Sequence, residues 1–118
     1  MTYRVRLAAT ARRDIEGILR WSLETFGVGA MERYKILVDR SIRDIAEDPL
    51  RMGFRPIDEV RQGYRAYPLR HSRLRVDGKP VVKPRHVLIY RMDGPDALLL
   101  ARVLHDRMLI ERHIGDDE

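Results

Sequence analysis

Four residues stand where strand alternation alone would not call for them: Arg65, Arg91, Arg102 and His105. They lie on or at the ends of segments patterned as neighbouring strands, and antiparallel strands can bring such side chains onto one surface. Several guanidinium groups beside one imidazole could hold a phosphate and supply a proton donor or acceptor, the minimum for RNA cleavage by 2′-hydroxyl attack. The competing reading is a sheet face whose arginines lie over apolar neighbours and keep their charge in water. It gains weight because a nuclease needs a second proton-transfer group, and none is obvious near these residues.

Other chemistries have less to stand on. His71, His86, His105 and His113 are never four apart or in an HExxH frame, and with no cysteine in the chain no metal site is expected. Gly27-Val28-Gly29 lacks the third glycine and the strand-turn-helix setting of a nucleotide fold, so no cofactor is expected either. Asp14 with Glu16, and Asp44 with Glu47, fall on the polar faces of helices and are assigned to solubility and ion pairing. Trp21, Tyr34, Tyr64, Tyr67 and Tyr90 are read as core or interface residues before base-stacking ones.

The elements that position these residues follow from periodicity. Tyr3, Val5 and Leu7 alternate with Arg4 and Arg6 as in a half-buried strand. Ala11, Ile15, Ile18, Leu19, Ser22 and Phe26 are spaced by three and four, predicting an amphipathic helix with Gly27 as a left-handed C-terminal cap. After Val28-Gly29 a second helix carries Ala30, Tyr34, Leu37, Val38, Ser41, Ile42 and Ile45 on one face, and Pro49 stops it. The short joint predicts an antiparallel helical hairpin. Residues 50–63 read as a loop, followed by strands at Tyr64–Leu69, His86–Met92 and Ala97–His105, the last two joined by a turn at 93–96. Asp77-Gly78 suits a type I′ turn, so residues 70–85 are read as a basic β-hairpin arm, made irregular by Pro80 and Pro84. One helical turn is expected at Met108–His113 and fraying over residues 115–118. The predicted class is α+β: an N-terminal strand, a helical hairpin, then a three-stranded antiparallel meander with the arm as an extension, all in one domain spanning 1–118.

Composition bounds the function. With 44% hydrophobic residues the chain can bury one modest core, and the absence of cysteine, of a membrane-length apolar run and of a signal-peptide core predicts a soluble, cytoplasmic protein that avoids membranes. Residues 51–91 hold 11 basic and 3 acidic side chains, against 9 and 8 in 1–50 and 3 and 7 in 92–118. Such a block attracts nucleic acid or an acidic protein, and charge alone does not choose between them.

Three stretches, in this order of elements, resemble the ParE branch of the RelE/ParE toxin superfamily: Leu7-Ala8-Ala9-Thr10-Ala11-Arg12-Arg13-Asp14-Ile15-Glu16-Gly17-Ile18, His86-Val87-Leu88-Ile89-Tyr90-Arg91 and Arg102-Val103-Leu104-His105-Asp106-Arg107. The resemblance spans about residues 3–114 and departs from the usual pattern at 70–85, where a short turn would be expected. It implies the toxin of a type II toxin-antitoxin pair, an inhibitor of DNA gyrase without catalytic residues, neutralised by a ParD-like antitoxin. That antitoxin would lay apolar anchors in a groove near the helix pair and the sheet, with basic residues of 61–91 meeting its carboxylates. Target or antitoxin contacts would fall among Arg65, Arg91, Arg102, His105, Trp21 and Tyr34. The sister branch, RelE-like ribosome-dependent mRNA endonucleases, is the alternative, with Arg65, Arg91 and His105 as its catalytic set. Against it, Met108, Leu109 and Ile110 stand after the last strand where those enzymes carry a tyrosine. A basic DNA-binding module is the third reading, weakened by the lack of a recognition helix.

Overall fold

The computed structural model describes residues 2–108 and 112–114. The period-two segment forms strand β1 (Arg4–Leu7), and the two amphipathic stretches form helices α1 (Ala9–Phe26) and α2 (Val28–Glu47). Gly27 alone joins them, with φ +96° and ψ 177°, a conformation that costs a side chain dearly. The joint is therefore extended and shorter than predicted, and α2 begins at Val28 rather than Ala30. Strands β2 (Arg55–Pro56), β3 (Tyr64–Pro68), β4 (His86–Met92) and β5 (Ala97–His105) complete one sheet in the order β1-β5-β4-β3-β2. β1 runs parallel to β5 and every other pair is antiparallel.

The two sheet faces bury different sets. Leu88, Tyr90, Leu98 and Leu100 meet Ala11, Leu37, Val38 and Ile45 from the helices. On the other face Ile57, Tyr64, Ala66, Ile89, Ala101 and Leu104 form a second cluster with Val60 and Ile114 packed against it. Each fully buried Leu, Ile or Val contributes about 1.5–3 kcal/mol, which makes this two-sided sheet the main source of stability. β1 pairs with β5 from Arg4↔Ala97 to Leu7↔Leu100. Beyond that point α1 side chains satisfy the strand edge: Thr10 Oγ1 donates to the Ala101 carbonyl at 2.8 Å, and the Val103 N–H donates to Asp14 Oδ2 at 3.0 Å.

Three expectations are corrected. The loop read over 50–63 contains the two-residue β2, paired to β3 through Arg55↔Ala66 and Pro56↔Arg65. The basic β-hairpin arm at 70–85 does not form: Leu69–Arg75 is a 3₁₀ helix, followed by turns and irregular backbone to Arg85. A 3₁₀ helix stacks every third side chain, and Leu69, Ser72 and Arg75 accordingly meet α2 on one face. Leu69 is buried, while Ser72 Oγ and Arg75 Nε donate to Asp44 Oδ2 at 2.6 and 3.0 Å. Pro80 and Pro84, without an N–H, cannot supply a competing ladder. Asp44 is thereby buried rather than solvated, with Arg40 Nε donating to its other oxygen at 3.0 Å. The turn expected at Met108–His113 includes 109–111, and the tail is 115–118; both sets lie outside the described residues.

Candidate functional site

A groove of about 1090 Å³ opens between the two helices, the irregular segment 79–85 and the ends of β4 and β5. Helical spacing places Asp14, Ile18 and Trp21 of α1 along it, and Ala30, Arg33 and Tyr34 of α2 join them. Segment 79–85 supplies Lys79, Pro80, Val81, Val82, Lys83 and Arg85. Much of the lining is apolar and open to solvent. Trp21 is 57% exposed and Phe26 67%, their rings meeting edge to face with centroids 5.5 Å apart. Solvated aromatics grouped in a concavity are the form a partner-binding surface takes.

At the sheet end of the groove three rings are linked. His86 and His105 are cross-strand partners, their centroids 5.3 Å apart and nearly perpendicular. The Tyr34 hydroxyl lies 2.6 Å from His86 Nδ1 and accepts the Arg85 backbone N–H at 3.2 Å. Burial, with the neighbouring His105 adding to it, holds the His86 pKa down to about 4. Burial likewise raises that of Tyr34. Asp106 sits beside this group, 3.3 Å from Arg85 Nε and 3.2 Å from His105 Nδ1, while Nδ1 also accepts the Arg107 N–H at 3.1 Å.

The structure gathers Trp21, Tyr34 and His105 at this groove and places the remaining predicted residues elsewhere. Arg102 is turned to α1: Nε and Nη2 grip Asp14 at 2.7 and 3.0 Å, and Nη1 donates to the His113 carbonyl at 2.6 Å. Arg65 stands between Tyr64 and Ala66 of the far-face cluster, so the pleat turns it to the helix side, opposite Tyr90 in register. Arg91 stands between Tyr90 and Met92 of the helix-side core and takes the other face, where Nη1 donates to the Met92 carbonyl at 3.1 Å. Four residues of β4, roughly 13 Å, and two strand spacings, roughly 10 Å, separate Arg65 from His105. Arg65, Arg91 and His105 therefore do not converge on one phosphate-sized site.

Sequence reasoning missed His86, Arg13, Arg33, Phe26 and the part played by 79–85. The i, i+3 and i+4 spacing of Asp14, Ile18 and Trp21 was available as a signal for the helix side of the groove. Among the described residues no group of three or more metal-ligating side chains is present, and no helix is long and apolar enough to cross a membrane.

Comparison with known proteins gives a consistent result. The family model for the ParE toxin of the type II toxin-antitoxin system parDE matches residues 5–110. Toxin ParE1 of Mycobacterium tuberculosis, found in two strains, is 30% identical over 114 residues, which is 97% of this chain and 100% of that protein. Among solved structures, the toxin-antitoxin complex RelBE2 of the same organism contains a chain with the same fold, at TM-score 0.53 and 22% identity, covering 89% of this chain and 99% of that one.

Proposed function

The chain belongs to the ParE toxin family of type II toxin-antitoxin systems, and from that premise we propose that it acts in the cytoplasm as one toxin domain that inhibits DNA gyrase and is neutralised by a ParD-like antitoxin seated in the groove. The observation that carries the inhibitor over the RelE-like mRNA endonuclease is the separation of Arg65, Arg91 and His105 across two faces and two ends of the sheet. General acid-base groups separated in this way forfeit the 100- to 10,000-fold or so that positioned proton transfer contributes. Neutralisation is supported by the groove's exposed aromatics and basic rim, which suit an acidic, amphipathic segment that orders on binding.

The experiment is a gyrase supercoiling assay on relaxed plasmid, run beside a translating-ribosome reaction probed for mRNA cleavage. Inhibited supercoiling or accumulated linear plasmid, with intact mRNA, is the expected result. Cut mRNA with normal supercoiling would move the protein to the nuclease branch. Adding the antitoxin should restore supercoiling, and a complex in which the groove stayed empty would remove it as the site of neutralisation.

A further inference from the structure

We propose that residues 79–85 form a selectivity wall, in which Lys79 and Lys83 determine which antitoxin the groove admits. The inference deepens the neutralisation reading above and rests on it. Six charged side chains other than histidine line the groove. Two are already spent: Asp14 on Arg102, and Arg85 on Asp106. Arg13 and Arg33 from the helices, and Lys79 and Lys83 from the wall, have no ion-pair partner among the described residues. An apolar trough is thus bordered by four uncompensated cations from two separate parts of the chain. Its complement is a protein segment whose apolar stripe carries carboxylates on the side that meets the helices and on the side that meets the wall.

The two borders differ in what the fold asks of them. Arg13 and Arg33 sit on helices whose other faces build the core. The wall is fastened by backbone, with the Val81 carbonyl accepting from Arg73 Nε at 2.5 Å and the Arg85 N–H donating to Tyr34, and by the Val81 side chain, which packs against the helix-side core. Its outward side chains, Lys79, Val82 and Lys83, are exposed, and Val82 is 77% so. Residues that line a binding groove without any folding duty can change without cost to stability, which is where discrimination between similar partners is most readily placed. A partner presenting Lys or Arg at the wall would meet like charge, and the same two lysines that attract one antitoxin would repel another.

The test uses the full chain and its antitoxin as purified proteins, titrated at low and at physiological salt. The double variant K79E/K83E, with both positions exposed, should melt as the wild type does. It should bind the antitoxin about 30-fold or more weakly, with a smaller salt dependence. Reversing acidic residues of the antitoxin's groove-binding segment to Lys, one pair at a time, should then recover at least about tenfold for the pair that faces the wall. If K79E/K83E binds within threefold of wild type while Trp21→Glu abolishes binding, the wall is not selective and the groove reading survives. If Trp21→Glu also binds normally, the groove reading falls with it.

Discussion

Replacing Arg102 by Met tests whether this arginine builds the fold or meets a partner. Arg102 and Asp14 are mutually enclosed, at 21% and 17% side-chain exposure, and the fork makes two short bonds to the carboxylate. Removing one member of a buried pair costs about 3–5 kcal/mol when the other is stranded. Here the Val103 N–H still serves Asp14 and water can reach part of it, so about 2–4 kcal/mol is expected for Arg102→Met. For a chain of this size that lowers Tm by about 10 °C. Removing both charges together, as Asp14→Asn with Arg102→Met, should cost less than the two single changes added, with a coupling of about 1.5–3 kcal/mol in urea unfolding. Supercoiling inhibition measured well below the lowered Tm should persist. An Arg102→Met protein with wild-type stability and no activity would refute the structural role and return Arg102 to the contact surface.

Four further outcomes follow from the geometry. Asp44→Ala strands Arg40, Arg75 and Ser72, though both arginines retain access to water, so it should cost about 2–4 kcal/mol and speed amide exchange over 69–75 ahead of the sheet. Gly53→Ala places a Cβ 2.5 Å from His71 Cγ on a backbone with φ +105°, for a loss of about 1–3 kcal/mol that His71→Ala should partly relieve. His86 is about 4 when folded against an ordinary 6.5, so the neutral ring is fully compatible with the fold above pH 6.5 and stability falls as pH drops toward 4. The full difference is about 3 kcal/mol, which solvent screening of this half-buried ring reduces to about 1–2, and His86→Gln should flatten that part of the urea-midpoint profile. His105→Ala should leave the concentration for half-inhibition of gyrase within about threefold, whereas an enzyme using this imidazole would lose about 100-fold or more.

How much of this could be read beforehand depended on how local the cause was. Helices α1 and α2 and strands β3 to β5 announce themselves because alternation and three-four spacing are written within each segment. The imidazole pair is different. Counting back from the Met92↔Leu98 pair without interruption would set His86 opposite Leu104, and only the irregularity at Ile89/Tyr90, which leaves Ala101 unpaired, brings His105 into register with it. Nothing in the hydrophobic alternation marks that extra residue. The 3₁₀ helix was hidden for a related reason: Arg73-Leu74-Arg75-Val76 alternates like a strand, and what overrides it is Asp44, 31 residues from Arg75 and 28 from Ser72.

The same non-locality governs the basic block. Its charge suggested a face waiting for a partner, yet Arg75 and Arg85 are drawn to Asp44 and Asp106, while Arg51 and Arg73 hold Tyr67 and the Val81 carbonyl. Those arginines fasten an irregular stretch that has no ladder of its own to hold it. A carboxylate or carbonyl that consumes a guanidinium lies on another element, so a running charge sum cannot separate fastening cations from recognition cations. What distinguishes them is whether the fold has already supplied the counter-charge. By that criterion Arg55, Arg65, Arg70, Lys79 and Lys83 keep their charge free of an internal ion pair among the described residues, and of these five it is Lys79 and Lys83 that stand on the groove, where that charge is available to something outside the chain.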